Sequence, residues 1–306
     1  VDNSSTSIVT KSTRDQDNNS KEDNFTQVAL SYDTQTANGL SIVAVTNEDM
    51  NFAPVGLGFG AVGVAGTVAV TTSSSTTEAY VGAGTVINQD NADGASDQDV
   101  RLLAASNTLL NNISSGISAG AAAVSLDSDT QVFAKTVRAR MMGDAYAKRD
   151  VSVDAKTDDT ILQTMVSIAV GGNGQGGIVG VSVVNNAVTA EIGDNTTVEA
   201  GDDLTVKTDS DIEMIQTAGN VAGGAGGGIG ASLGVLVAKS TNTARIGDGA
   251  NVTARDDLVV EANSDTSINQ NIIGFSGGMG LAITGSVGIN VLKTTTIAEI
   301  GDDALI

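Results

Sequence analysis

No histidine, cysteine or tryptophan occurs among the 306 residues, and proline occurs once, at Pro54. Without histidine there is no Ser-His-Asp triad, no imidazole base and no histidine-ligated metal. Without cysteine there is no disulfide, no thiolate zinc site and no thiol nucleophile. Basic residues are scarce as well: 15 Lys plus Arg stand against 36 Asp plus Glu, a formal charge of −21. That balance argues against nucleic acid as a partner, since Lys and Arg must neutralise its phosphates. Aromatics are 3% of the chain, although 41% of it is hydrophobic. A globular core fills irregular space with large rings. A core of stacked, similar layers of Val, Ile, Leu and Ala needs none, and this composition favours a scaffold or surface protein over an enzyme.

What the chain does have is a repeat, the first signal to seek in such a sequence. Ile192-Gly193-Asp194 returns as Ile246-Gly247-Asp248 and as Ile300-Gly301-Asp302, at intervals of 54. Asp202-Asp203-Leu204 returns as Asp256-Asp257-Leu258 at the same interval. Val179, Leu233 and Val287 share a column, as do Val181, Val235 and Ile289, and then Val183, Val237 and Val291. The register holds without a gap over 165–306. Residues 37–164 read as degenerate copies: Met142-Gly143-Asp144 has three residues removed, and an insertion covers Asn88 to Ser96. Residues 1–36 are polar and weakly patterned, an N-terminal segment with one more degenerate coil as the alternative. Ile306 falls in mid-unit, so a segment of a longer repeat protein, or a subunit that stacks end to end, is expected.

Leu204, Val206 and Thr208 alternate with Thr205 and Lys207. Val287, Ile289 and Val291 alternate with Gly288 and Asn290. Period two and abundant β-branched residues predict strands, and Gly-Asp and Gly-Gly clusters predict turns. Five charge-free stretches, 50–77, 102–126, 160–190, 214–238 and 266–292, are long enough to span a bilayer as helices. Six glycines in residues 223–230, interior Asn and Gln, and no flanking basic asymmetry argue against that. The fold expected is all-β, a parallel β-helix (β-solenoid) over 37–306. Each 54-residue unit would hold two coils of about 27 residues, with three smaller coils as the alternative; about eleven coils would make a rod roughly 50 Å long. Val235, Val237, Ile289 and Val291 are expected to face its core.

The run Ala-x-Ile-Gly-Asp-x-x-x-Val-x-Ala-x-Asp-Asp-Leu-x-Val, at Ala190 to Val206 and again at Ala244 to Val260, resembles passenger repeats of large secreted bacterial adhesins. These are the filamentous-hemagglutinin-like and leukotoxin-like filamentous families. The likeness covers 165–306 well and 80–164 loosely. It implies a right-handed β-helix, export from a Gram-negative bacterium to the extracellular cell surface, a role in cell adhesion and no catalytic residues. A host or neighbouring-cell surface would be the partner, or copies of the chain joined end to end into a filament, with no nucleic acid and no membrane insertion.

Asp194, Asp202, Asp203, Asp248, Asp256 and Asp257 recur at predicted turns. Stacked carboxylates could ladder Ca²⁺, which takes six to eight oxygens. The nonapeptide pattern of calcium-binding β-rolls is absent, so solvated turn acids and no required cofactor are expected. Gly223 to Gly228 lacks the Lys-Ser/Thr ending of a phosphate loop and reads as a turn. Lys135, Arg138, Arg140, Lys148 and Arg149 form a basic cluster, read as a solvated face rather than a glycan site. Acids in repeated columns do not form the isolated acid–base pair of a glycosidase. The sequence reading is therefore a non-enzymatic, rigid spacer of an adhesin, with the end-to-end filament subunit as the alternative.

Overall fold

The computed structural model describes residues 6–14, 30–37, 39–89 and 95–306. Among the described residues every element is a strand, and no helix is long and apolar enough to cross a membrane. β1 (Thr6–Arg14) and β2 (Leu30–Ala37) form an antiparallel pair. The rest of the proposed N-terminal coil, and residues 90–94 of the insertion, lie outside the described residues.

The remaining strands form a parallel β-solenoid of five rungs. The first comprises β3 (Gly39–Phe52), β4 (Val55–Phe59), β5 (Val62–Val81) and β6 (Val86–Ile87). The second is β7 (Asp99–Met141) with β8 (Asp144–Ala147), and the third β9 (Val151–Ile192) with β10 (Thr197–Ala200). The fourth is β11 (Leu204–Ile246) with β12 (Asn251–Ala254). The fifth comprises β13 (Leu258–Gly278) and β14 (Leu281–Ile300). The long strands stack in one sheet in the order β13-β11-β9-β7-β3, and the short ones in another, β12-β10-β8-β6.

The ladders correct the expected coil count. Leu204 pairs directly with Leu258, and Ile246 with Ile300, so hydrogen-bonded neighbours are one whole repeat apart. Each 54-residue unit is therefore one turn of the solenoid, not two. Five rungs at about 4.8 Å each extend only about 20 Å along the axis, so the roughly 50 Å rod is wrong too. The chain is broad instead. In the fourth rung one arm runs out along 204–224 and a second returns along 227–246, each roughly 65 Å long at about 3.3 Å per residue.

The two arms of a rung face each other. Asn112 Nδ2 donates to Asp129 Oδ1 at 2.9 Å, and the hydroxyls of Ser210 and Ser240 lie 3.2 Å apart. At the base, where the short strand closes the turn, the core is aliphatic: Leu102, Met141, Val153, Ile192, Val198, Leu204 and Ile246 are fully buried. Farther out, in the flattened wing, polar and apolar layers alternate. Leu110, Phe133, Ile161 and Met214 form one apolar cluster, followed by a glutamine ladder. Gln216 donates to Gln163 at 2.5 Å and accepts from Gln270 at 2.7 Å. Bulk on one arm meets glycine on the other: a Cβ on Gly180 would collide with Met165, and one on Gly234 with Gln216.

This interior overturns the expected phase of the return arm. Leu236 and Ala238 are buried, whereas Val235 and Val237 lie on the outer face, and Ile289 and Val291 are exposed. The inner positions 234, 240 and 242 are Gly, Ser and Asn, so apolarity does not mark the inside here. Leu204, Val206 and Thr208 do face inward, as their alternation predicts.

Candidate functional site

The repeated acids stand at two corners of the base. The Ile-Gly-Asp corner explains its own sequence. The isoleucine plugs the core: Ile192 and Ile246 are fully buried. Glycine follows because a Cβ on Gly247 would sit 2.6 Å from Asp194 N, and one on Gly301 2.7 Å from Asp248 N. The next residue but one takes a left-handed conformation, with φ of 53° at Asn195, 65° at Gly249 and 57° at Asp303, as Asn, Gly and Asp tolerate. Between them the aspartate caps the rung above. Asp248 N donates to Asp194 Oδ1 at 2.9 Å, and Asp302 N to Asp248 Oδ1 at 3.1 Å.

Arg245 lies across this corner. Its guanidinium is 3.1 Å from Asp194, 3.2 Å from Asp248, 3.3 Å from Glu191 and 3.4 Å from Glu299. Arg140, Glu191, Arg245 and Glu299 form one column up the solenoid, so charge alternates from rung to rung. Asp194 and Asp248 thus already hold backbone N–H groups and a cation of the chain itself.

The Asp-Asp-Leu corner is more acidic. Asp203 N donates to Asp150 Oδ1 at 3.4 Å, and Asp257 N to Asp203 Oδ1 at 3.1 Å. Asp202, Asp203 and Asp256 each bring a carboxylate oxygen within 4.8 Å of the others, and all three are exposed. Loss of surrounding water, and then the like charges of Asp203, Asp150 and Asp256, raise the Asp202 carboxyl above its ordinary value, opposed by Arg149. Arg149 itself is held by Asp99 at 2.7 Å and by Asp150 at 3.1 Å. Of the six sequence candidates, the structure gathers Asp202, Asp203 and Asp256 with Asp257 beside them, and places Asp194 and Asp248 at the other corner. Each carboxylate can give one or two of the six to eight oxygens around Ca²⁺, and one of the three, Asp203, already caps a turn.

The basic cluster disperses. Lys135 is buried in the wing against Asp159 at 2.5 Å, with Thr108 also in contact. Arg140 pairs with Glu78 and Glu191. Reading Lys135 as part of a solvated face is therefore corrected: it points inward and neutralises a buried acid. The sequence reading also passed over Arg245 and the buried Gln163–Gln216–Gln270 stack. Both are visible once the chain is written in columns, as Arg-Glu-Arg-Glu and as Gln-Gln-Gln. The Gly223–Gly228 run forms the wing tip, where a Cβ on Gly224 would collide with Gly171 O of the neighbouring strand and one on Gly228 with Ala222 O of the outgoing arm. Each of the five charge-free stretches crosses the wing tip, and two reach back to the base core, at Leu102 and at Val188 and Ala190.

Compared with protein-family models, with curated proteins and with solved structures, the chain finds no match. What fold and site define together is a class: a parallel β-solenoid with one 54-residue repeat per turn and corners capped by aspartate.

Proposed function

We propose that the chain is a structural repeat segment of an exported bacterial surface adhesin, acting as a rigid, non-enzymatic support at the cell surface. The observation that carries this reading is the use made of the repeated acids: the carboxylates of Asp194, Asp248 and Asp203 hold the next rung's backbone N–H rather than converging on a reaction site. The adhesin-like run from Ala190 to Val206 supplies the parts of that corner. One turn per repeat adds about 4.8 Å of reach per 54 residues, so the segment acts as a stiff, broad board and not as a long spacer. It works without a bound cofactor and outside the bilayer, because the exposed carboxylates at its corners, Asp202, Asp203 and Asp256, would be costly in hydrocarbon. Immunogold labelling of intact producing cells with an antibody against 165–306 tests this. Surface label on intact cells is expected, and label that appears only after lysis overturns it.

The second reading is a subunit of an extracellular filament, favoured by the likeness of successive rungs at their corners: Asp194, Asp248 and Asp203 each hold the next rung's backbone N–H. A rung of another copy would meet the same caps on docking by strand addition. Electron microscopy of the pure chain separates the two: thread-like particles support the filament, and isolated boards exclude it.

A further inference from the structure

Near the wing tip, the outer face of the return arm is an apolar field without a charge. Over Val64–Thr72 of the first rung and its ladder equivalents in the other four, every outward side chain is Val, Leu, Ile, Ala, Gly, Ser, Thr or Gln. Eight residue steps and five rungs span roughly 27 by 20 Å. With side-chain margins that is roughly 600 Å², the upper end of the largest apolar patches on monomers. It approaches the roughly 800 Å² that each partner gives to a stable protein interface.

The field has relief. Gly66, Leu126, Gly177, Ala231 and Gly285 form one column across the rungs. This column lies in a groove of about 640 Å³. Along one side runs a ridge that includes Val68, Val179, Leu233 and Val287, with Val68 78% and Val287 54% exposed. Leu126 is the one large side chain in the groove column, 59% exposed and leaning over Gly177. The groove floor stays low at Ala231 and Gly285. One face therefore carries a knob at one end and an empty slot at the other.

We infer that this face is a self-association surface whose occupant is the same face of a second copy, related by a two-fold axis. In such an isologous contact, residue i meets j and j meets i. Leu126 of each copy then enters the Ala231–Gly285 end of the other's groove. Charge supports the choice of partner. Two chains of −21 repel, and this part of the wing lets them meet where neither exposes charge, with Asp127 and Asp129 turned inward and buried. A bilayer is the poorer occupant, because Ser128, Thr130 and Gln175 set polar side chains within the field. The inference does not depend on export or attachment, and it differs from end-to-end stacking, which uses strand edges and gives open chains.

Sedimentation velocity of the intact chain at about 50 µM, in low and high salt, tests it. The expected result is a closed species of about twice 30.6 kDa that survives high salt. Leu233→Lys with Val287→Lys is expected to give monomers with an unchanged far-UV circular dichroism spectrum. If that pair fails to fold, Ser128→Lys, at an already polar position on the same ridge, is expected to have the same effect. Leu126→Ala is expected to weaken dimerisation about tenfold or more. A wild-type monomer at this concentration overturns the inference, as does a dimer indifferent to the lysines. Open-ended oligomers insensitive to the lysines overturn it as well and point to strand edges. Flotation of the chain with lipid vesicles in place of dimerisation assigns the face to lipid and likewise overturns it.

Discussion

At the scale of single residues, the position of an aspartate decides what it does. Corner aspartates sit in water and cap turns, whereas Asp127 and Asp129 are buried inside the wing. Burial raises both carboxyls above their ordinary value of 3.8, and the hydrogen bonds they accept oppose it only in part. The donors around Asp127 are uncharged: Thr67 Oγ1 at 2.5 Å and Gly116 N at 3.1 Å. A carboxyl raised on folding binds its proton more tightly in the folded chain. The stability it contributes is therefore complete below the unfolded pKa and is lost as pH rises through the folded one. Urea unfolding is expected to show higher stability at pH 5 than at pH 7. Asp127→Asn keeps both contacts, since the new carboxamide can accept from Gly116 and donate to Thr67, and it removes the charge. It is expected to stabilise the chain at pH 7 and flatten the pH slope; a loss of stability there would show that the charge is not the burden. The corner acids give a second test. Repulsion among Asp202, Asp203 and Asp256 is exposed and screened by salt, so NaCl should raise Tm modestly. Millimolar Ca²⁺ at matched ionic strength should add little, and a large gain specific to Ca²⁺ that chelator reverses would mark the corner as a metal site.

Within the paired arms, packing works by complementary size. Gly234 faces Gln216, and a Cβ there would also crowd Ile272 Cδ1 and Gln270 Nε2. Gly234→Leu should force the glutamine stack apart and cost about 1–3 kcal/mol, as overpacking does, read as a lower urea midpoint at constant m. Gly219→Ala, on the same long strand with open space around it, should change stability by less than about 0.5 kcal/mol. The same arms show what was legible in the sequence. The 54-residue columns, the strands and the corner turns could be read directly, because each column repeats one environment. The phase of the return arm could not. In Leu233-Gly234-Val235-Leu236-Val237-Ala238 both faces are apolar or glycine, so no alternation distinguishes inside from outside. Next to it the interior is polar at Ser240 and Asn242 while valines line the exterior, which reverses the usual cue. Lys135 misled for a related reason: a lysine in a run of basic residues reads as solvated until the fold sets Asp159 beside it.

For the whole molecule, the question the repeat leaves open is how many times the chain goes round per unit. A period of 54 suits one, two or three coils equally, and only the ladder from Leu204 to Leu258 decides for one. In hindsight the chain offers few turn signals per unit, the glycine tip and the acidic corners, too few for two separate coils. A solenoid of this kind gains stability rung by rung through nearest-neighbour contact, which makes its turn length testable by surgery on the chain. A second copy of 204–257 inserted after Asp257 continues every column: Leu, Val and Thr at the base, glutamine in the wing, aspartate at both corners. That variant is expected to fold, to resist urea at least as well as the parent, and to show an m-value larger by about a sixth, since m follows the surface exposed on unfolding. Duplicating only 204–230, half a unit, would be tolerated if each unit held two equivalent coils. With one turn per unit it carries an outgoing arm into the place of a returning one, setting Lys207 at the buried place of Gly234 and Asp209 at that of Leu236. That variant is expected to lose cooperative unfolding, and a half-unit insertion that unfolds as cooperatively as the parent would refute the single-turn rung.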